Sequence, residues 1–212
     1  MTRWTIQEEK CLKILKERLK DDIKESPQYP EIIGDRKLIR YLRGHNNDIE
    51  KIYIMFKNFL KWRIDNNMNE IRTNIVENGY DHPLKFPKGE IILKLIPQLI
   101  VLPEALDKTG SPICVEQYNF IPSEVFQYIT IEDYIVFVKY SLEYRSLIVE
   151  QLSEHRERSY LAGLSEIERE KVELSETETY GVLVNTCVIR DLSKYCIVYV
   201  LYTVCIYSVC IV

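Results

Sequence analysis

The run "LIPQLIVLPEALDKTGSPICVEQYNF", residues 95–120, decides how this chain is read. Its apolar residues come in short blocks rich in strand formers, instead of recurring every three or four positions. Between the blocks, Asp107-Lys108-Thr109-Gly110 spells a type I turn closing with glycine in the left-handed region, a geometry that joins neighbouring strands. The spacing predicts two adjacent strands, residues 99–102 and 113–118. Further on, "GVLVNTCVIRDL", residues 181–192, carries Val182, Leu183, Val184, Val188 and Ile189 in a run short and β-branched enough for an interior strand.

Upstream of the deciding stretch the period is helical. Thr5 with Glu8 forms a capping box, and Leu12, Leu15 and Leu19 follow at helical spacing until Asp21 and Asp22. Pro27 and Pro30 interrupt the pattern, after which residues 36–43 predict a short helix carrying Leu38, Ile39 and Leu42 and closed by Gly44. Asn47 or Asp48 caps the next helix, whose positions Ile49, Ile52, Tyr53, Phe56, Leu60 and Arg63 share a face that is apolar through Leu60, with Trp62 at its edge. A weaker helical stretch, residues 71–76, stops at Asn78-Gly79. Beyond the deciding stretch, Thr130 with Asp133 caps a long helix with apolar positions Ile131, Tyr134, Ile135, Val138, Leu142, Leu147 and Leu152, running nearly to His155. The charged residues 156–178 read as a solvated helix or loop insertion.

Helices first, then strand, strand, helix, strand, predict an α/β chain: an N-terminal helical bundle, residues 1–90, followed by an incomplete mixed α/β sheet domain, residues 91–193. Residues 194–212, "KYCIVYVLYTVCIYSVCIV", form an apolar tail. As a helix, residues 195–212 would reach about 27 Å, just short of a bilayer core near 30 Å. As a strand they would outrun the sheet of a small domain. A membrane span, a buried strand and an ending foreign to the preceding fold all stay open.

Composition removes several function classes. With 28 basic and 32 acidic residues well mixed, the net charge of −4 supplies no basic field of the kind that nucleic-acid binding uses. No apolar signal-type run follows Met1, so a cytoplasmic location is expected, peripheral to membranes, or anchored through the tail. Cys11, Cys114 and Cys187 stand alone and Cys196, Cys205 and Cys210 lie in the tail; without Cys-x-x-Cys or a histidine at ligand spacing they read as reduced, mostly buried thiols, not metal ligands. His45, His82 and His155 are scattered, and no phosphate loop, nucleophile elbow or His-Glu-x-x-His occurs. No enzyme active site and no cofactor are expected.

Three stretches carry a resemblance. "DRKLIRYLRGHNNDIEKIYIMFKNFLKWR", residues 35–63, resembles the D-x-x-L-L-R-F-L-R-A-R-K-F-D-V-x-K-A block and following W-R of the CRAL-TRIO family of lipid-binding and phosphatidylinositol-transfer proteins. "DKTGSPICVE", residues 107–116, resembles its D-K-x-G-R-P-V, and "NTCVIRDLS", residues 185–193, its strand ending in D-L-x-G. The resemblance implies non-catalytic binding, and possible transfer, of a hydrophobic ligand such as a phospholipid enclosed between sheet and helices.

It also implies site residues. The R-K pair that meets the headgroup phosphate in phosphatidylinositol-transferring members falls on His45 and Asn46. The permanent charges are gone there, and an imidazole of ordinary pKa near 6.5 is mostly neutral at pH 7. The phosphatidylcholine-contacting tyrosine falls on Cys114, and of the hydroxyls before D-L only Thr186 remains. The family continues well past D-L with further strands and a gate helix, so the resemblance covers the front of the lipid-binding domain, and compromised binding is expected from these residues alone. At about 0.8 kcal/mol per buried methylene, two acyl chains need a closed container to compete with a bilayer. The expected partners are therefore a hydrophobic lipid ligand and membranes, by peripheral or tail-anchored contact, with no nucleic acid; a tail-anchored interaction protein with a cytosolic helical head is the alternative.

Overall fold

The computed structural model describes residues 2–98, 101–108, 110–117, 120–165, 182–183 and 187–191. Elements follow in the order β1 (Thr2–Arg3), α1 (Ile6–Arg18), α2 (Lys20–Glu25), α3 (Pro30–Ile33), α4 (Asp35–Gly44), α5 (Ile49–Asp65), α6 (Met68–Glu77), a 3-10 turn (Pro83–Lys85), α7 (Gly89–Leu95), β2 (Ile113–Gln117), α8 (Pro122–Val125), α9 (Ile131–Gly163), β3 (Val182–Leu183) and β4 (Cys187–Asp191).

Helices dominate, which corrects the expectation of a mixed α/β sheet domain. Among the described residues, strand is confined to two two-stranded pairings: β1 with β3, antiparallel over two residues, and β2 with β4, parallel over five. The deciding stretch misleads for a local reason. Its first residue, Leu95, ends α7, whose buried Ile92 and following Ile96 are spaced i, i+4, so the apolar block before Pro97 belongs to a helix. Val101 is fully buried, yet Val101 and Leu102 form no strand; residues 99 and 100 of the expected first strand lie outside the described set. The turn itself is present: the Gly110 N–H donates to Asp107 O at 2.8 Å, Gly110 has φ +72°, and the Ser111 N–H donates to Asp107 Oδ1 at 2.8 Å. It is flanked by a single antiparallel bridge, Leu106 with Pro112, rather than a ladder. The expected strand 113–118 exists as β2, and its neighbour is β4, in register Cys114 with Val188.

The chain divides into two compact units. The first comprises, among the described residues, 2–65, 150–165 and 182–183; the second comprises 66–149 and 187–191. In the first unit, Thr5 caps α1 as its sequence dictates, its hydroxyl accepting from the Glu8 N–H while the Glu8 carboxylate accepts from the Thr5 N–H. Helix α1 buries Cys11, Leu12 and Leu15; with Leu19, they pack into a core with Leu38, Ile39 and Leu42 of α4 and Ile52 and Phe56 of α5. The Asp48 side chain accepts from the Lys51 N–H at the start of α5. Between α4 and α5 the chain reverses through Asn46 and Asn47, both left-handed, a conformation whose cost asparagine tolerates better than most residues.

The second half of α9 enters the same unit through charge. Arg36 donates to both Glu150 and Glu157, and its side chain and those two carboxylates are each less than a fifth exposed. Arg43 donates to Glu8 Oε1 at 2.6 Å and Oε2 at 3.1 Å. Arg36, Arg40 and Arg43 thus line one face of α4 at i, i+4 and i+7 against carboxylates of α1 and α9. Burial raises the Glu150 carboxyl above its ordinary value despite Arg36 and Arg40, and burial lowers Arg40.

In the second unit, α9 begins at the predicted cap, with reciprocal 3.0 Å hydrogen bonds between Thr130 and Asp133. Its buried face in this unit is Phe137, Tyr140, Tyr144 and Ile148 rather than the anticipated stripe from Ile131. Phe86 sits against Phe137, Tyr140 and Tyr144 with ring centroids 5.4–6.0 Å apart, and Tyr140 accepts from Asn74 of α6 at 2.9 Å. The helix reaches Gly163, taking in the first part of the charged stretch; residues 166–178 and the tail 194–212 lie outside the described residues. Among the described residues no helix is long and apolar enough to cross a membrane.

Candidate functional site

The second unit presents apolar side chains where a folded surface usually turns polar. Pro122 at the first position of α8 and the Thr130 cap of α9 hold two helix starts close in sequence, and the short link between them carries Phe126 and Tyr128. Val125 and Ile129 point inward, 3% and 4% exposed. Their neighbours do not: Ile121 is 53% exposed, Tyr128 67%, Ile131 58% and Ile135 47%, with Phe126 and Val136 more than a third exposed. Summed over the six side chains this is apolar area on the order of 500 Å², comparable to the largest patch on a monomer, which is often a functional one.

The helical wheel explains the exposure. Burying Phe137, Tyr140, Tyr144 and Ile148 against the Phe86 cluster turns Ile131 and Ile135 away, so α9 is apolar on two faces and its core uses one of them. A third side meets β2: Arg145 lies 3.9 Å from Glu116, and the Tyr134 phenol is pushed up by burial and by the Glu116 charge. Residues 120–138 contain no lysine, arginine or histidine, while Glu124 and Glu132 stand exposed on the rim. The surface can pack aliphatic chains. Lys139, one helical turn beyond Ile135 on α9, is the nearest cation along the helix, and among the described residues no group of three or more His, Cys, Asp or Glu could hold a metal ion.

The residues implied by the resemblance fall in separate places. His45 follows α4, half-buried, its ring 6.3 Å from that of Tyr41, and Asn46 is exposed in the left-handed reversal. Both belong to the first unit. Cys114 belongs to the second, as the second residue of β2, 1% exposed and in no disulfide. Thr186 lies outside the described residues. The structure brings His45 and Asn46 together as chain neighbours and sets Cys114 in the other unit. The exposed patch was missed by sequence reasoning. The signal was present as two interleaved helical stripes, Ile131-Ile135-Val138-Leu142 and Phe137-Tyr140-Tyr144-Ile148, of which one was read.

No protein-family model and no curated protein matches the chain.

Proposed function

We propose that the chain binds a hydrophobic ligand, a phospholipid or other acyl-chain amphiphile, without covalent chemistry. One observation carries the reading: the exposed apolar side chains of Ile121, Phe126 and Tyr128 around α8 and the following link, and of Ile131 and Ile135 on α9, whose other face is already sealed. The three motifs resembling the CRAL-TRIO family support the same ligand class.

The strength of binding follows from area. Covering half of about 500 Å² at about 25 cal/mol per Å² gives about 6 kcal/mol gross, before the cost of association. That corresponds to a dissociation constant on the order of 10–100 µM at best, a reversible contact rather than extraction of a two-chained lipid from a bilayer.

The test is titration of the purified chain with a fluorescent single-chain fatty acid, beside lipid analysis of the purified protein by mass spectrometry. Saturable binding in that range, weakened at least ten-fold in the Ile131→Asp/Ile135→Asp variant with its helicity intact, supports the reading. Absence of saturable binding, or equal binding by the variant, overturns it.

A further inference from the structure

The first unit carries a second surface of opposite character. Helices α1 and α2 run on as one axis through Leu19, whose N–H donates to Leu15 O and whose carbonyl accepts from the Ile23 N–H. Cys11, Leu12, Leu15 and Leu19 occupy the inner side. Lys10, Lys13, Lys20 and Lys24 therefore share the outer side, spread over about 21 Å, with Lys16 and Glu9 at its margin and Glu17 and Asp21 among them. Lys13, Lys16, Lys20 and Lys24 line an open groove of about 850 Å³ with Glu17, Ile23 and Gln28.

These charges are available. Lys10 and Lys24 make no ion pair with any described residue. Lys13–Glu9 at 3.5 Å and Lys20–Glu17 at 3.5 Å are solvent-exposed contacts of the kind that hold a side chain weakly, and Lys16–Asp35 at 2.6 Å is half-exposed. The positive excess is confined to the N-terminal segment: residues 1–65 hold fifteen basic and eleven acidic side chains, net +4, whereas residues 66–149 hold seven and eleven, and residues 150–212 six and ten, net −4 each. A charge asymmetry of this size between parts of one chain points to an anionic partner for the basic part.

We infer that the lysine face of α1 and α2 docks onto an anionic lipid bilayer. Geometry favours an extended surface over a small anion, because a single phosphate reaches neighbouring lysines while a charged plane meets Lys10 through Lys24 at once. Lysine stems suit this contact, since their methylenes lie along the interface and the ammonium groups reach the headgroups. Each lysine near such a surface strengthens binding about five-fold, so four together amount to a hundred-fold or more at low salt. The inference stands apart from the apolar patch of the second unit.

Co-sedimentation of the full chain with vesicles tests it, comparing pure phosphatidylcholine with a mixture containing about a third phosphatidylserine. Expected are binding to the anionic vesicles alone, loss in high salt, at least a ten-fold loss in Lys10→Gln/Lys13→Gln/Lys20→Gln/Lys24→Gln, and no loss in Ile131→Asp/Ile135→Asp. The substitutions lie on solvent-facing positions, and Lys85→Gln/Lys88→Gln/Lys94→Gln/Lys108→Gln in the second unit, all exposed, serves as the matched control. No binding to anionic vesicles overturns the inference, as does binding that the four-lysine variant retains. Capture of a single-stranded oligonucleotide as tight as that of the vesicles overturns it in favour of a general polyanion site.

Discussion

Replacing Arg36 by methionine tests the charge cluster that joins α4 to the second half of α9. Arg36 spans two carboxylates, Glu150 and Glu157, and the three side chains are 16%, 10% and 19% exposed, so solvent shields them little. Burial already pulls Arg36 down, and its charge-assisted bonds to Glu157 and Glu150 more than compensate. Removing the guanidinium leaves Glu150 between Arg40 and the like charge of Glu31, and takes from Glu157 its bond to Arg36; breaking such a pair costs about 3–5 kcal/mol at pH 7. The loss has a signature in pH. Glu150 is held above its ordinary value by burial even with Arg36 present, and without Arg36 it rises further. A group raised in the folded state withdraws stability as pH rises through its folded value, so the deficit of Arg36→Met shrinks on going from pH 7 to pH 5, by up to about 1.4 kcal/mol per unit. Trp4 and Trp62 are the two tryptophans and both belong to the first unit, so urea unfolding followed by tryptophan fluorescence reads this unit. In Arg36→Met/Glu157→Leu, Glu150 keeps Arg40 and one stranded charge is gone; at least 1 kcal/mol should return. A single variant within 1 kcal/mol of the parent at pH 7, with no pH trend, would refute the reasoning.

Three further outcomes are expected. Phe86→Ala empties the centre of the aromatic cluster with Phe137, Tyr140 and Tyr144 and should cost about 3–5 kcal/mol in the second unit, read by near-ultraviolet circular dichroism of its tyrosines. Gly34→Ala would set a methyl 2.3 Å from the Pro30 carbonyl oxygen between α3 and α4; backbone there cannot yield cheaply, and a loss of about 1–3 kcal/mol by urea titration is expected. Glu8→Gln removes a carboxylate that burial raises but that Arg43 and the Thr5 cap together hold below its ordinary 4.5. Because a lowered carboxylate gives stability above its unfolded value and forfeits it as pH falls through the folded one, the gap from the parent, about 1 kcal/mol at pH 7, should close below pH 4 in acid titrations.

Much of the helical part was legible because its signals are local. Reciprocal caps at Thr5-Glu8 and Thr130-Asp133 involve residues three apart, and both formed as written. Leu38, Ile39 and Leu42 fall inward because a 3.6-residue period leaves them one side to share, and Asp107 to Gly110 turns because glycine there accepts a positive φ. The candidate site was half legible: two apolar stripes on α9 were in the sequence, but nothing local says which one meets a core.

Tertiary structure alone decided the rest. A short apolar run such as residues 95–102 satisfies a helix end or a strand equally well, and the choice fell to the packing of Ile92 and Ile96. β2 pairs with β4, some seventy residues away, rather than with the run before its own turn, since ladder bonds go to whichever backbone arrives alongside. Arg36 met Glu150 and Glu157 across more than a hundred residues for a like reason: desolvated charge seeks compensation in space, and spacing along a chain records no distance beyond a turn or two of helix.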